Sequence, residues 1–435
     1  MAKDAVGYAL TALNRLASSE VLDKMGMRKT VERLAYTLTR SGFQVLTTTA
    51  RAFKSSNPGS KPTRLTAPGH TRDMFDLGVT DEQQMIRDSV QAFAREVLLA
   101  QGESADDAQR TSDDVLAQAQ ELGLNFFAVP EALGGAASER STVTSMLVAE
   151  DLANGDMGQA VAILAPMSVA NALTQWGTAQ QQDKYLTTFA EENPPKATIA
   201  VCEPRPLFDP MALQTTARKD GNHYVLNGEK SLVPLAAEAE IFLVAAQTDN
   251  GPAVFIIEGG TEGLTAGDDP SMGIRASAQR PLKLDNVRIP AENRLGNDDF
   301  DYRAFVDLGT LGWCALAIGT CQAVLDYVVS YCNERVAFGE PISHRQAVAF
   351  MIADMAIELD SMRMLTYRAV CRAEQNKSFQ REAHLARTLV KEKAMKIGTD
   401  GVQLLGGHGF TKEYPVERWY RDLRAIGVAF GGLHL

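Results

Sequence analysis

The residue types best suited to ligand contact cluster in two stretches of the last third of the chain. One stretch contains Gly406, Gly407 and Gly409. Three glycines within four residues let another molecule's polar groups approach the backbone N–H groups closely. The other stretch, residues 334–346, places an arginine, an aromatic-glycine turn and a glutamine between two long helical patterns. The two stretches therefore share a design, in which a helix ends in a glycine-containing, aromatic turn that opens the next helix.

The stretch 334–346 is predicted to be a loop between two helices. Apolar residues recur every three or four positions on both sides of it, and Gly339 and Pro341 mark where the first helix must stop. Taken alone, this stretch also permits a purely structural interpretation. Arg335 would then be a solvated charge at a helix C-terminus, where the helix dipole favours it.

Together the two stretches resemble the C-terminal bundle of the acyl-CoA dehydrogenase family. They match R-x-x-F-G-x-x-I-x-x-x-Q and Q-x-x-G-G-x-G-[FY], which in that family hold the ADP half of FAD. The loop of the first motif does so for the FAD of a neighbouring subunit. The resemblance implies that FAD is the cofactor, that acyl-CoA is the substrate and that the chain forms a homo- or hetero-oligomer. It assigns cofactor contact to Arg335, Phe338, Gln346, Gln403, Gly406 and Gly407, with Arg335 pairing with the pyrophosphate.

The composition excludes several other classes of protein. A net charge of −11 argues against a nucleic-acid surface, and no apolar run approaches the roughly 20 residues that span a bilayer. The five cysteines are scattered and the six histidines dispersed, so we assign neither a disulfide framework nor a metal site. A reducing compartment fits this cysteine usage best, and we expect a cytoplasmic location.

The apolar periodicity predicts an α+β fold with helical, β and helical domains in that order. Thr80 and Gln83 have the spacing of a capping box at the start of the first helix. The period then switches to two, and Asp220-Gly221 and Asn227-Gly228 are typical hairpin turns. The predicted boundaries are 75–195 for the N-terminal α-domain, 196–295 for the β-domain and 296–435 for a C-terminal four-helix bundle, matching the order of domains in the family.

Residues 1–54 form a predicted helical extension, followed by a linker at 55–74. The extension is amphipathic and carries nine Lys/Arg against four Asp/Glu. A basic amphipathic helix can lie on an anionic membrane surface, which would make the protein peripheral to a membrane. A helical hairpin packed against the protein's own subunits explains the pattern equally well. A mitochondrial transit peptide fits less well, because acidic residues interrupt the segment.

The catalytic carboxylate of the family is missing from its usual place. The family's reaction removes an α-proton from an acyl thioester with a carboxylate base and passes the β-hydrogen to the flavin as hydride. The base is usually the glutamate of E-G-[TS], where this chain has Phe430-Gly431-Gly432. The alternative position, on the helix before the first motif, corresponds to Gly309. Residues 423–435 contain no acidic residue at all.

The residues that contact the flavin ring within the same subunit also depart from the family pattern. T-E-P-x-A-G-S-D corresponds to residues 202–209, beginning with Cys202, and W-I-[ST] corresponds to Leu232-Val233-Pro234. The arginine that often anchors substrate is replaced by Thr310. The contacts given to a partner's FAD are therefore retained, whereas those that serve the chain's own site are lost.

Two functions remain open from the sequence. In the first, the chain is an acyl-CoA dehydrogenase that uses FAD and an unrecognised base, for which Asp307 and Glu203 are the available carboxylates. In the second, it is a non-catalytic supporting subunit that helps bind FAD for an active paralogue in a mixed oligomer. Its own pocket would then be closed by Phe208 and Phe430.

Overall fold

The computed structural model describes residues 78–135, 140–191, 193–268 and 271–435. The predicted extension at 1–54 and the linker at 55–74 lie outside these residues. Within the described residues, helices are followed by a β-sheet and then by long helices. This order confirms the predicted α+β fold.

The N-terminal helices begin where the capping-box spacing places them. The Gln83 N–H donates to the Thr80 hydroxyl at 3.2 Å, and the Thr80 N–H donates to the Gln83 side chain at 3.1 Å. These two backbone N–H groups, which have no partner within the helix, are thereby hydrogen-bonded. This confirms the predicted start of the helix. The helices are α1 (Asp81–Phe93), α2 (Leu99–Ala108, reached through the π-helical turn Ala94–Leu98), α3 (Asp113–Glu121), α4 (Thr142–Gly155), α5 (Met157–Trp176), α6 (Ala179–Gln181) and α7 (Thr187–Phe189).

The β-domain is a mixed seven-stranded sheet. Its order is β1-β4-β2-β3-β7-β6, and β5 pairs with β4. The strand β1 runs parallel to β4, whereas the β2–β3, β3–β7, β4–β5 and β6–β7 pairs are antiparallel. The strands are β1 (Ala197–Ala200), β2 (Thr216–Asp220), β3 (His223–Val233), β4 (Ile241–Thr248), β5 (Gly251–Glu258), β6 (Leu264–Ala266) and β7 (Arg280–Pro290).

One of the two predicted hairpin turns is present and the other is wrong. Asp220 pairs with His223 across the turn between β2 and β3, which confirms the turn at Asp220-Gly221. Asn227-Gly228 instead lies inside β3, at a bulge. Gly228 has φ +150°, and a Cβ there would lie 2.6 Å from the Thr215 Cα. A close backbone approach, rather than a chain reversal, therefore requires glycine at this position.

The C-terminal bundle contains four helices, as predicted. The helix α8 ends at Glu334 and α9 begins at Gln346, so the predicted loop 334–346 is confirmed. Within this loop, β8 (Val336–Ala337) and β9 (Glu340–Pro341) form a small antiparallel pair. The helices are α8 (Tyr302–Glu334), α9 (Gln346–Glu374), α10 (Gln380–Leu405) and α11 (Val416–Arg424).

Among the described residues, two helices, α5 and α8, have the length and composition of a membrane span. This differs from the expectation that no stretch would have them. In each helix, however, 89% of the most apolar window is buried inside the protein. Both belong to the core, since many of their apolar residues are members of the main buried hydrophobic cluster.

A buried cluster of charges fastens α11 to the N-terminal helices and to the β-domain. The Arg418 guanidinium lies 3.1 Å from the Asp156 carboxylate at the start of α5. The neighbouring Asp422 carboxylate accepts a hydrogen bond from the Ile274 N–H at 2.5 Å. Burial, together with the charge of Asp156, raises the pKa of Asp422 to about 7. The three parts of the fold therefore meet at a carboxyl group that favours its protonated form.

We expect Asp422 to make the stability of the fold decrease between about pH 4 and pH 7. An aspartate has a pKa of about 3.9 in an unfolded chain, so the folded state binds an extra proton in this window. The contribution of Asp422 to the free energy of unfolding is fully present below about pH 4 and is lost as the pH rises towards 7. The free energy of unfolding changes by at most about 1.4 kcal/mol per pH unit from this group. In Asp422→Asn, urea unfolding should show a shallower decrease than in wild type. The exposed control Asp326→Asn should follow wild type, and parallel curves for wild type and Asp422→Asn would contradict this assignment.

Candidate functional site

The two motif loops lie at the same end of the bundle. The helix α8 ends at the first loop and α10 ends at the second. They are joined by a 2.8 Å hydrogen bond between the Tyr331 hydroxyl and Nδ1 of His408. The His408 ring stacks on Tyr414, with centroids 4.8 Å apart. Packing of neighbouring helices thus brings together two motifs that are about seventy residues apart in the chain.

The side chains predicted to contact the cofactor are exposed on this end of the bundle. Phe338 is 97% exposed and has φ +54°, a left-handed conformation that is unfavourable for a bulky residue. Its ring lies 5.8 Å from the Arg345 guanidinium. Exposure and backbone strain without a packing reason are typical of a residue held for an external contact. The predicted residues that are exposed are Arg335, Phe338, Gln346, Gln403, Gly406 and Gly407.

The glycine turn after α10 presents open backbone. Gly406 has φ +59°, which favours glycine. A Cβ added at Gly406 or at Gly407 would meet no atom of the described residues within 4 Å. Packing within the chain therefore does not explain the glycine at position 407. A phosphate-bearing group could approach these backbone N–H groups without obstruction.

Phe430, which motif counting aligns with the family's catalytic glutamate, is a packed aromatic ring. The Phe430 ring contacts Phe208 edge to face, with centroids 5.8 Å apart. The guanidinium carbon of Arg387 lies 3.6 Å from the centroid of the Phe430 ring. The Phe430 N–H donates to Sγ of Cys202 at 3.1 Å. Phe208 and Phe430, the two rings expected to close the pocket, are therefore in contact.

Gly309, at the alternative base position, has no room for a side chain. A Cβ on Gly309 would lie 2.6 Å from the Gly432 nitrogen. The Trp313 indole N–H, one helical turn further along α8, donates to the Gly431 carbonyl at 2.7 Å. The glycine pair after Phe430 therefore packs directly on α8. A glutamate at position 309 would displace this backbone.

Glu203, one of the two carboxylates considered as a base, forms a buried ion pair. Its Oε1 lies 2.9 Å from Nζ of Lys230, and both side chains are almost fully buried. The carboxylate also accepts backbone N–H groups from Gln214 at 2.8 Å and Thr215 at 2.9 Å. Burial opposes ionisation, but Lys230 and the two N–H groups together lower the pKa of Glu203. A carboxylate stabilised in this way is a weak base.

Asp307, the other carboxylate considered, lies beside Phe430. It lines the same cavity as Phe430, between α8 and α10. Its carboxylate is 3.1 Å from Nε of Arg303. Burial raises the pKa of Asp307, although the Arg303 charge opposes this. Asp307 therefore lies close to Phe430 and has a raised pKa, but its carboxylate already forms an ion pair with Arg303.

Arg387 is a site residue that the sequence analysis did not identify. It lies on α10 between the buried residues Ala386 and Val390, on the face that packs into the bundle. The helical periodicity of α10 was a usable signal, since it places an arginine beside an apolar stripe.

The residues present fit the ADP half of FAD better than its ring. The glycine turn and Arg335 are exposed, and nothing described obstructs the turn. At the positions that correspond to ring contacts, the Cys202 carbonyl accepts a hydrogen bond at 2.9 Å from the N–H of Ser231, the residue before Leu232. Because Cys202 also contacts Phe430 directly, the ring-contact position and the base position touch each other. The residues at these positions therefore bond to one another within the chain.

Comparison with known proteins agrees with the fold. Residues 80–193, 198–287 and 303–432 match the family models for the N-terminal, middle and C-terminal domains of acyl-CoA dehydrogenase. The short-chain specific acyl-CoA dehydrogenase of Megasphaera elsdenii is 33% identical over 82% of this chain and 96% of its own length. The structure of butyryl-CoA dehydrogenase from the same organism aligns with a TM-score of 0.75 and 31% identity, covering 81% of this chain and 95% of the other. An FAD complex of PigA aligns with a TM-score of 0.74 and 25% identity, covering 81% and 95%.

The chain belongs to the acyl-CoA dehydrogenase family. The three domain models together cover most of its length, and they occur in the order of the helical, β and helical parts of the fold. Members of this family are oxidoreductases of fatty acid metabolism, and FAD is their cofactor. Membership thus establishes the class of chemistry. Which part of that chemistry the chain performs depends on its own residues.

Proposed function

We propose that this chain is a supporting subunit of an acyl-CoA dehydrogenase oligomer. Its motif loops hold the ADP half of the FAD in a neighbouring active paralogue, while its own site does not abstract the α-proton. The observation that carries this proposal is the direct contact of Phe430 with Cys202 and Phe208. A site of this family needs a carboxylate above the substrate Cα, and motif counting assigns that position to Phe430.

The exposed motif loops support the part of the proposal that concerns binding of a neighbouring subunit's FAD. Arg335 would pair with the FAD pyrophosphate as a charged fork, and Phe338 would pack beside it. Gln346 and Gln403 would supply polar contacts, and the glycine turn would supply backbone contacts. FAD provides the hydride acceptor when it is bound in the paralogue. The role of this chain is to bind and orient its ADP half.

A second candidate function is dehydrogenation by the chain itself, with Asp307 as the base. The position of Asp307 in the cavity beside Phe430, together with its raised pKa, favours this alternative. The reaction would require Phe430 to move aside and Arg303 to release the carboxylate. If Asp307 is the base, Asp307→Asn should abolish turnover by the isolated chain. Under the supporting-subunit proposal, the same variant should leave the activity of the mixed oligomer unchanged.

We propose a cytoplasmic location and the domain boundaries 75–195, 196–295 and 296–435. The extension at 1–54 would contact either a membrane surface or a neighbouring subunit. Its basic, amphipathic pattern supports both alternatives. Removing residues 1–54 should change either binding to anionic vesicles or oligomer size, and each outcome selects one alternative.

Arg335→Ala should weaken FAD retention by the mixed oligomer. A pyrophosphate that loses a charge-assisted, bidentate partner loses roughly 1.5–3 kcal/mol of binding. Arg335→Lys should restore only part of this, because an ammonium group cannot reproduce the planar fork. Flavin absorbance after gel filtration measures retention, and the exposed Arg381→Ala serves as control. Equal flavin content in all four proteins would identify the loop as a structural turn.

A further inference from the structure

A small cavity of about 150 Å³ lies beside Phe430, between the β-domain and the bundle. A cavity of this size accommodates a ligand about as large as benzene. About half of its wall is apolar, and the rest is polar or charged. The apolar wall consists of Pro210, Met211, Val306, Ala383 and Phe430, and the polar wall consists of Asp209, Arg303, Asp307, Thr310, His384 and Arg387.

One charged group of the polar wall, the Arg387 guanidinium, has buried terminal nitrogens. Both terminal nitrogens of Arg387 are buried, and neither has a hydrogen-bond partner among the residues that the structure describes. The Phe430 ring covers one face of the guanidinium at 3.6 Å and leaves its N–H edge unused. A buried charge without a hydrogen-bonded partner is strongly unfavourable. This edge is therefore suited to receive an anion.

The carboxylates in the cavity wall already have partners. Asp307 pairs with Arg303 at 3.1 Å. Asp209 accepts the N–H of Met211 at 2.9 Å. Neither forms a hydrogen bond with the terminal nitrogens of Arg387. Compensation of the Arg387 charge must therefore come from solvent or from a ligand.

We propose that this cavity binds a short-chain monocarboxylate, whose two oxygens meet the N–H edge of Arg387. A planar carboxylate matches the two parallel N–H donors of a guanidinium. The alkyl group would lie against the apolar wall, and the size of the cavity limits the acid to about four carbons. Arg387 thus places a cation next to the position where the family has a catalytic anion. Binding requires neither FAD nor a partner subunit, so it is independent of the proposed function.

The test is calorimetric titration of the purified full-length chain with sodium butyrate. We expect saturable binding, weakened at least about tenfold in Arg387→Met. Arg381→Met, an exposed arginine on the same helix, should bind like wild type. Butyramide has the same shape without the charge and should not bind. Sodium chloride and sodium sulfate, titrated in parallel, distinguish a carboxylate site from a general anion site.

The stability of the variants provides a second readout. Without ligand, Arg387→Met should unfold at a higher temperature than wild type, because it removes an uncompensated buried charge. Butyrate should raise the unfolding temperature of wild type and not that of Arg387→Met. Butyramide binding equal to butyrate, or butyrate binding unchanged in Arg387→Met, would overturn the proposal. Sulfate or chloride binding as tightly as butyrate would also overturn it.

Discussion

The purified chain alone is expected to dehydrogenate acyl-CoA thioesters at least roughly 10²–10⁴-fold more slowly than an ordinary member of its family. This is the usual contribution of a general base, and the base position holds Phe430. Gly309 offers no substitute, since Gly432 packs on it. Dye-coupled turnover of a short-chain acyl-CoA, with an active family member measured alongside, gives the ratio.

Phe430→Glu should not restore turnover. The new carboxylate would face the Arg387 guanidinium, which lies 3.6 Å from the present ring. A cation at this distance stabilises the ionised form and lowers the pKa of the glutamate, so the glutamate would be a weaker base. Phe208 would still fill the neighbouring space. The double variant Phe430→Glu/Arg387→Met separates these two effects, because only the closure by Phe208 remains in it. Rapid turnover by the unmodified chain would contradict this account of the site.

Lys230→Met should destabilise the fold by about 3–5 kcal/mol, the usual cost of removing one partner from a buried ion pair. Lys230 is fully buried, and its Nζ lies 2.9 Å from Glu203 and 3.3 Å from the Val201 carbonyl. Burial lowers the pKa of Lys230 to about 8. Both groups are therefore mainly charged near neutral pH. Without the lysine, the buried Glu203 carboxylate loses its counter-charge.

Two controls separate the ion pair from general disruption of the β-domain. In the double variant Lys230→Met/Glu203→Gln no uncompensated charge remains, so much of the stability should return. In the exposed pair between Lys184 and Glu258, both side chains are 55% exposed. Lys184→Met should therefore cost less than about 1 kcal/mol. Stability is measured by urea unfolding. Equal losses of stability in Lys230→Met and Lys184→Met would show that the buried pair contributes no more than the exposed pair.

The elements that depend on local pattern were predictable from the sequence. The helix start after Thr80 and the loop 334–346 were located correctly, because capping spacing and helix-ending glycines act over a few residues. Asn227-Gly228 was misassigned because its glycine serves a contact with Thr215, twelve residues before Asn227. An Asn-Gly pair is compatible both with a hairpin turn and with a bulged strand, so the neighbouring residues alone do not distinguish the two.

At the site, the position of Phe430 could be found by counting residues from a family motif. The side chains that surround Phe430 could not be found in this way. Arg387, Cys202 and Phe208 reach Phe430 from α10 and from the segment after β1. These contacts join positions more than forty residues apart, and no short motif encodes them. The replacement of the expected glutamate by Phe430 was therefore visible in the sequence, whereas the contact of Arg387 with the Phe430 ring was visible only in the fold.

The flavin content of a mixed oligomer tests the central claim most directly. The chain is co-expressed with an active paralogue and purified through a tag on this chain, and FAD is counted against each polypeptide. We predict that FAD equals the amount of the paralogue alone, and that this chain purified by itself carries none. One FAD for every chain of both kinds would contradict the account, since it would require a flavin site where Phe430 now contacts Cys202.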